Sequence, residues 1–201
     1  MESKNIIMPF FPLGVFLLPG EDIPLRIFEP RYQELIADIR QTKGSFVIPF
    51  VNGRDINDYG CEVVLEDIVA ENAGGEMVVS VRAVSVVKIN SFSKQLEDKL
   101  YAGGEVSRLP SSGPLESPEL QKLIRDYRER FDHDFLNNCC SHRQITRQEV
   151  MKALNLPSED KYQFARMQET RHKEAYLSSQ IRYLEMIRRQ EKLLDNDFGL
   201  N

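Results

Sequence analysis

The segment Phe10–Ile39 constrains the fold of this chain most, because it holds two apolar runs, turn signals and the start of a helix. The Pro19–Gly20 pair predicts a turn, since proline fixes φ and glycine allows positive φ. Ile23–Phe28 then alternates apolar and other residues, which predicts a half-buried strand. Pro24 cannot donate a hydrogen bond, so we expect this strand to lie at a sheet edge or to carry a bulge. Pro30 suits the first turn of a helix, and apolar residues follow at helical spacing.

The rest of the first half is rich in β-forming residues separated by turn signals. Glu71–Glu76 is typical of a hairpin connection, and the glycines at the start of the last β-rich segment indicate a weakened or bulged strand. Many short strands with one early helix predict a curled antiparallel sheet or pseudo-barrel. The predicted strands are Ser45–Val51, Gly60–Ala70, Met77–Ile89 and Tyr101–Leu109.

The pattern changes to helical spacing after Pro110–Pro114, a run of prolines, serines and a glycine. Thr146–Glu149 has the form of a capping box, and Ser158 is a candidate N-cap of a long helix that reaches about Asp195. The sequence therefore predicts an α+β protein with a β domain over residues 1–112 and a helical bundle over residues 115–201. The apolar stripe of the predicted last helix consists of Leu177, Ile181, Leu184, Ile187 and Leu194.

Four short elements of the first segment occur in an unusual order: Pro9–Leu13, Leu18–Gly20, Pro24–Glu29 and Arg31–Tyr32. In this order and spacing they resemble the opening signature of the Lon protease N-terminal domain, also called the Lon substrate-binding domain. The resemblance is strong over residues 8–40, moderate through residue 109 and architectural beyond it. It implies a PUA-like β-barrel followed by a helical bundle that ends in a long helix.

The sequence departs from that family at two points. Where the family often has a glycine and an arginine in one strand, this chain has Ala83 and Val86. It also has no G-x-x-x-x-G-K-[ST] run for nucleotide phosphates and no region that resembles a serine–lysine peptidase. The resemblance therefore implies a stand-alone, non-catalytic homologue of a protease's accessory domain, without a cofactor.

Charge and composition weigh against several partners. The chain has a formal net charge of −5, all of it carried by residues 1–114, and residues 115–201 are balanced. Neither half has the basic surface that binding to a phosphate backbone needs, so we expect no nucleic-acid partner. No run approaches the ~18 apolar residues of a membrane helix, and the first residues lack the apolar core of a signal peptide. Three cysteines do not suggest a secreted disulfide framework, so we expect a cytoplasmic protein without a membrane partner.

The candidate catalytic and metal-binding residues are weak. His133 and the segment Cys139–His142 supply four possible metal ligands, but adjacent cysteines cannot easily face one tetrahedral zinc ion, so we predict no metal. The neighbouring serine and histidine of that segment lack the geometry of a catalytic triad. Asp55 and Asp58 are more typical of a solvated acidic loop than of a catalytic pair.

Binding is the function that remains. The Lon resemblance implies recognition of unfolded or degron-bearing polypeptide, possibly together with a protease or chaperone. Large apolar residues cluster between Phe10 and Leu18 in a number that one strand face cannot bury, which leaves open a peptide groove or a packed core. Two other functions also stay open: an RNA-binding module, since PUA-like barrels occur in RNA-associated proteins, and a small-molecule hydrolase. The candidate peptide-binding residues are Phe16, Leu17, Leu18 and Tyr32.

Overall fold

A six-stranded sheet that closes on itself forms the first half of the chain. The structure, a computed structural model, describes residues 5–110, 112–136 and 144–198, with side chains described through Leu193. The strands are β1 (Ile6–Phe10), β2 (Asp22–Ile27), β3 (Ser45–Asn52), β4 (Asp55–Glu71), β5 (Met77–Ile89) and β6 (Ala102–Arg108). The helices are α1 (Pro30–Thr42), α2 (Pro118–Arg130), α3 (Arg147–Ala153), α4 (Ser158–Arg166) and α5 (Thr170–Phe198).

The strand order is β2-β5-β4-β3-β1-β6, and β6 pairs with the end of β5 as well as with β1. This second pairing closes five strands into a barrel and leaves β2 as an added edge strand. β1 and β3 run parallel, and the other pairs are antiparallel. The predicted α+β class and pseudo-barrel are confirmed, and β2, which contains Pro24, is the expected edge strand.

Two turns show how local sequence sets the strand connections. In the β4–β5 hairpin the N–H groups of Gly74 and Glu76 donate to Asn72 Oδ1, and Gly75 has φ 79°. In β6, a Cβ on Gly104 would lie 2.0 Å from Ser91 O. Gly104 is therefore needed for a close approach of two backbones. The sequence indicates a weakened or bulged strand here; the regular register of β6 with β1 shows no bulge in β6.

The barrel interior is filled by apolar side chains from four strands. Val47 of β3 and Val87 of β5 pack with residues of β1 and β6, and all of these residues are at most 4% exposed. The cluster consists of Met8, Phe10, Val47, Val87 and Val106.

Backbone contacts divide the chain into two compact units. The first unit is Met1–Ser111 with Ser158–Ala165, and the second is Ser112–Pro157 with Arg166–Asn201. The sequence predicts domains over residues 1–112 and 115–201, and Ser158–Ala165 of α4 is the part of the later segment that belongs to the first unit.

One long helix was predicted from Ser158 to about Asp195, and this prediction was wrong. The helix is interrupted before Thr170, and the N–H groups of His172 and Lys173 both donate to Glu169 O at the new start. α4 buries a face in the first unit, while α5 buries Leu177 and Ile181 in the second. A long C-terminal helix is nevertheless present, and Leu184 and Ile187 on it are half-buried.

The second unit is held by defined caps and one buried ion pair. The predicted capping box of α3 is confirmed by reciprocal bonds between Thr146 and Glu149. The carboxylate of Glu174 accepts the N–H groups of Glu116 and Ser117 at 2.8 Å and pairs with the guanidinium of Arg147 at 3.3 Å. These contacts fix the entry of α2 against α5, because both charged groups are almost fully buried.

Candidate functional site

Three of the predicted peptide-binding residues lie in the core of the first unit. Phe16 is fully buried, and Leu17 and Leu18 are at most 5% exposed. The ring of Phe16 meets those of Phe50 and Tyr162 edge-on, with centroids 5.9 and 5.8 Å apart. Tyr162 belongs to α4, so the helix that returns to this unit covers the apolar cluster that the sequence left without a partner.

The backbone of the same segment is clamped by a thiol. Leu17 N–H donates to Cys61 Sγ at 2.9 Å, and the Cys61 thiol donates to Leu17 O at 3.0 Å. Burial raises the pKa of Cys61 to about 12, so the thiol keeps the proton that it donates. Glu21 holds the next turn, since its carboxylate accepts Leu18 N–H at 2.8 Å and pairs with Lys161 Nζ at 2.7 Å.

The fourth predicted residue, Tyr32, contacts an aromatic ring and a guanidinium. Its ring centroid is 4.1 Å from that of Phe11, and Arg31 Cζ lies 4.5 Å from the same centroid. Arg31 is itself paired with Glu29 at 2.8 Å, and burial raises the pKa of Tyr32. All four predicted residues are buried, so a polypeptide could contact them only if the packing around them opened locally.

One accessible feature is a length of β4 that has a partner on one side only. β3 pairs with β4 as far as Ser45 and Val64, whereas β5 continues alongside β4 to the pair Glu71 and Met77. Among the described residues no strand pairs with Leu65–Glu71 on the side away from β5. We call Leu65–Glu71 the β4 overhang.

The last turn of α1 faces the β4 overhang across an open cavity of about 580 Å³. α1 ends with Lys43 as its C-cap, and the chain then passes through Gly44 directly into β3. This short connection leaves the helix end on one wall of the cavity and the β4 overhang on the other. We call the cavity the overhang groove; its lining is Ile39, Arg40, Lys43, Gly44 and Val64–Ile68.

The overhang groove carries both signs of charge. Arg40 and Lys43 lie on the helix wall, and Glu66 and Asp67 lie on the strand wall. Arg40 also pairs with Glu71 at 3.6 Å, and both side chains are about half-exposed. The carboxylate of Asp67 accepts the N–H of Ile68 at 2.8 Å, which satisfies one backbone donor of the open edge.

The free edge of β2 differs because it contains Pro24. Ala83 N–H donates to Glu21 O, so the backbone of Glu21 faces β5. Backbone groups of an antiparallel strand face alternately toward and away from the neighbouring strand, so the backbone nitrogen of Pro24, three residues later, faces away from β5. The donor that proline lacks is therefore missing from the free edge, which makes β2 a poor template for another strand.

A cluster of titratable side chains joins α1 to the segment before β6. Asp38 Oδ2 accepts the hydroxyl of Tyr101 at 2.6 Å and pairs with Lys99 Nζ at 2.7 Å. The bonds from Lys99 and Tyr101 lower the pKa of Asp38, while burial and the bond to Asp38 raise the pKa of Tyr101. Lys99 and Tyr101 thereby hold the segment before β6 against α1, and the carboxylate of Asp38 is engaged by both of them.

The described part of the chain contains no group of three or more side chains suited to holding a metal ion. His133 is exposed, and Cys139–His142 lie outside the described residues. Within the described helices, none is long and apolar enough to cross a membrane.

Comparisons with known proteins identify the family. Residues 7–195 match the model of the ATP-dependent protease La (LON) substrate-binding domain, and the chain belongs to this family. The matched region is the substrate-binding domain and not a catalytic domain, which supports a role in substrate recognition. No curated protein matches the sequence.

Two solved structures share the fold. A Lon N-terminal domain protein from Xanthomonas campestris matches with a TM-score of 0.67 at 24% identity, covering 87% of this chain and 98% of that one. The N-terminal domain of a Mycobacterium avium complex Lon protease matches with a TM-score of 0.62 at 16% identity, covering 88% of this chain and 98% of that one. The resemblance seen in the first forty residues is thereby confirmed over both units.

Sequence reasoning missed the overhang groove. The available signal was a difference in length: the predicted strand Gly60–Ala70 was longer than its predicted neighbour Ser45–Val51. In an antiparallel pair such a difference leaves residues of the longer strand unpaired on one side, and here that stretch also carries bulges between Leu65 and Asp67 and between Ile68 and Ala70.

Proposed function

We propose that this protein is a non-catalytic polypeptide-binding module that holds an extended segment of an unfolded or degron-bearing chain in the overhang groove. The segment adds to β4 beyond the end of β3 and forms backbone hydrogen bonds with the β4 overhang. The observation that carries the proposal is the unpaired edge of Leu65–Glu71 beside an open cavity. A protease or chaperone that receives the bound chain is the expected partner.

The size of the groove suits this ligand. Strand addition uses about 3.3 Å per residue, so the seven positions of the overhang span roughly 20 Å. The cavity volume of about 580 Å³ lies within the ~300–1,000 Å³ range of ligand sites. Backbone bonds supply affinity without selecting a sequence, as recognition of unfolded chains requires.

The charges of the groove favour polypeptide over nucleic acid. Arg40 and Lys43 are opposed by Glu66 and Asp67, so a phosphate backbone would meet as many carboxylates as cations. The buried, protonated thiol of Cys61 is compatible with the reducing cytoplasm that we propose as the location.

A labelled eight-residue peptide of alternating valine and threonine tests the proposal by fluorescence anisotropy. Two further peptides carry N-methyl groups, one on alternate residues and the other on every residue. Only alternate N–H groups of an added strand face its host, so the alternately methylated peptide should bind through its free edge like the parent, and the fully methylated peptide should lose about tenfold or more in affinity. Equal binding by both methylated peptides would exclude strand addition.

A pair of glycine variants tests the location. A Cβ on Gly44 would lie 3.7 Å from Ile39 Cδ1, which also lines the groove, and 3.1 Å from the flexible Thr42 hydroxyl. Gly44→Leu should therefore obstruct the groove and weaken peptide binding by about tenfold or more. Gly14→Leu is the matched control, because that Cβ makes an ordinary contact at 3.6 Å with Val51 O and lies outside the groove. Thermal melts of both variants establish that the fold is intact, and binding by Gly44→Leu at the parent affinity would contradict the assigned site.

A further inference from the structure

The second unit contains a separate cavity on one face of α2. Its volume is about 330 Å³, and Gln121, Arg125 and Arg128 line its rim at spacings of four and three residues along the helix. Its apolar lining, which we call the floor, is made by Leu115, Ile124 and Ile145, and Gln144 also lines the cavity. We call this cavity the α2 pocket.

The floor is built into the core of the unit. Ile124 is 2% exposed and Leu115 is 9% exposed. Leu115 N–H donates to Ile145 O at 3.0 Å, and the amide of Gln121 donates to Leu115 O at 3.1 Å. The pocket is therefore a preformed depression whose floor and rim are joined by hydrogen bonds.

Arg125 presents a cationic charge at the rim of the pocket. Arg125 is exposed and takes part in none of the ion pairs among the described residues. Arg125 and Arg128 also line a neighbouring concavity of about 260 Å³, together with Glu129 and His133. Two guanidinium groups thus lie at the boundary between an apolar depression and an open polar one.

We propose that the α2 pocket binds an apolar carboxylate, with the apolar group on the floor and the carboxylate on Arg125 at the rim. A guanidinium binds a carboxylate through two parallel hydrogen bonds, and the apolar group covers the part of the floor that is still exposed, chiefly the half-buried Ile145. Two sources have this chemistry: a free medium-chain acid, and the last residue of a polypeptide that ends in an apolar side chain. The site is independent of the overhang groove.

Isothermal titration calorimetry with octanoate tests the proposal, with acetate and octanol as matched probes. Octanoate should bind saturably to the intact protein, and both acetate, which lacks the apolar chain, and octanol, which lacks the carboxylate, should bind at least about tenfold more weakly. Arg125→Gln should weaken octanoate by about tenfold or more, whereas Lys122→Gln should leave it unchanged. Lys122 is an exposed cation of the same helix outside the pocket, which makes it the control for general charge effects.

The source is distinguished by competition. A short peptide ending in leucine with a free carboxyl group should displace octanoate if the ligand is a polypeptide terminus, and the amidated peptide should not; if only octanoate binds, the ligand is a free acid. The proposal is overturned if octanoate does not bind, if octanol binds as tightly, or if Arg125→Gln binds octanoate like the parent protein. Gly44→Leu should bind octanoate normally, so a failure of the groove and a failure of the pocket are distinguishable.

Discussion

Replacing each partner of the Glu62–Arg108 ion pair should destabilise the protein to different degrees. Arg108 Nε and Nη2 donate to the two carboxylate oxygens of Glu62 at 2.6 and 2.7 Å, and the Ser45 hydroxyl donates to Oε1 at 2.7 Å. The side chain of Glu62 is 4% exposed, whereas that of Arg108 is 51% exposed. The group left behind is therefore a buried carboxylate in one variant and a half-exposed guanidinium in the other.

Arg108→Gln should lower the free energy of unfolding by about 3–5 kcal/mol at neutral pH, the usual cost of leaving one partner of a buried pair without its counter-charge. Glu62→Gln should lower it by only about 1–3 kcal/mol, because water solvates the remaining guanidinium and the new amide still accepts from Ser45. Urea unfolding followed by circular dichroism measures both as shifts of the midpoint at constant slope.

The pH dependence of unfolding distinguishes the wild-type protein from Arg108→Gln. Burial alone would raise the pKa of Glu62, but the bonds from Arg108 and Ser45 hold it below its usual value. The pair therefore contributes stability above the unfolded-state pKa near ~4.3, and this contribution is lost as the pH falls through the folded-state pKa. Without Arg108, burial raises the pKa of Glu62, so the penalty in Arg108→Gln should shrink on acidification. Equal penalties in both variants at neutral pH, or a penalty in Arg108→Gln that does not change with pH, would show that Arg108 does not compensate a buried Glu62 carboxylate.

Three further predictions concern the core and the absence of catalysis. Leu17→Ser should lower the free energy of unfolding by about 2–5 kcal/mol in thermal melts, because Leu17 is buried. The control Leu193→Ser, at an exposed site, should change it by less than about 0.5 kcal/mol. Tyr162→Ala should lower it by about 3–5 kcal/mol through loss of the ring that covers Phe16, and Tyr162→Phe should be much milder; similar melts for both would contradict the aromatic packing. The purified protein should neither hydrolyse ATP nor cleave casein, and activity that survives repurification would show that a catalytic site has been overlooked.

The parts of the fold that could be predicted from sequence are those fixed by local chemistry. Asn72 and the glycines of the β4–β5 turn, the capping box at Thr146 and Pro24 in an edge strand each have a short-range physical cause. Such signals act within a few residues and leave a visible pattern. The barrel itself was predicted from the number and spacing of strands together with the family resemblance.

The parts that could not be predicted depend on long-range packing. The periodicity of residues 158–195 is continuous, and the break before Thr170 follows from α4 and α5 burying their faces in different units. The apolar cluster around Phe16 left open a groove or a packed core, because its cover, Tyr162, is distant in sequence. The overhang groove likewise depends on where β3 stops relative to β4 and on the position of the α1 end, which no single segment encodes.

Backbone amide hydrogen exchange tests the binding of an extended polypeptide to the β4 overhang most directly. Exchange is followed residue by residue, without and with a saturating amount of the valine–threonine peptide. The peptide should slow exchange within Leu65–Glu71, because amides on the open edge acquire partners, and should leave exchange in the edge strand Asp22–Ile27 unchanged. Slower exchange in Asp22–Ile27 or in the second unit, with none in Leu65–Glu71, would show that the peptide does not bind the β4 overhang.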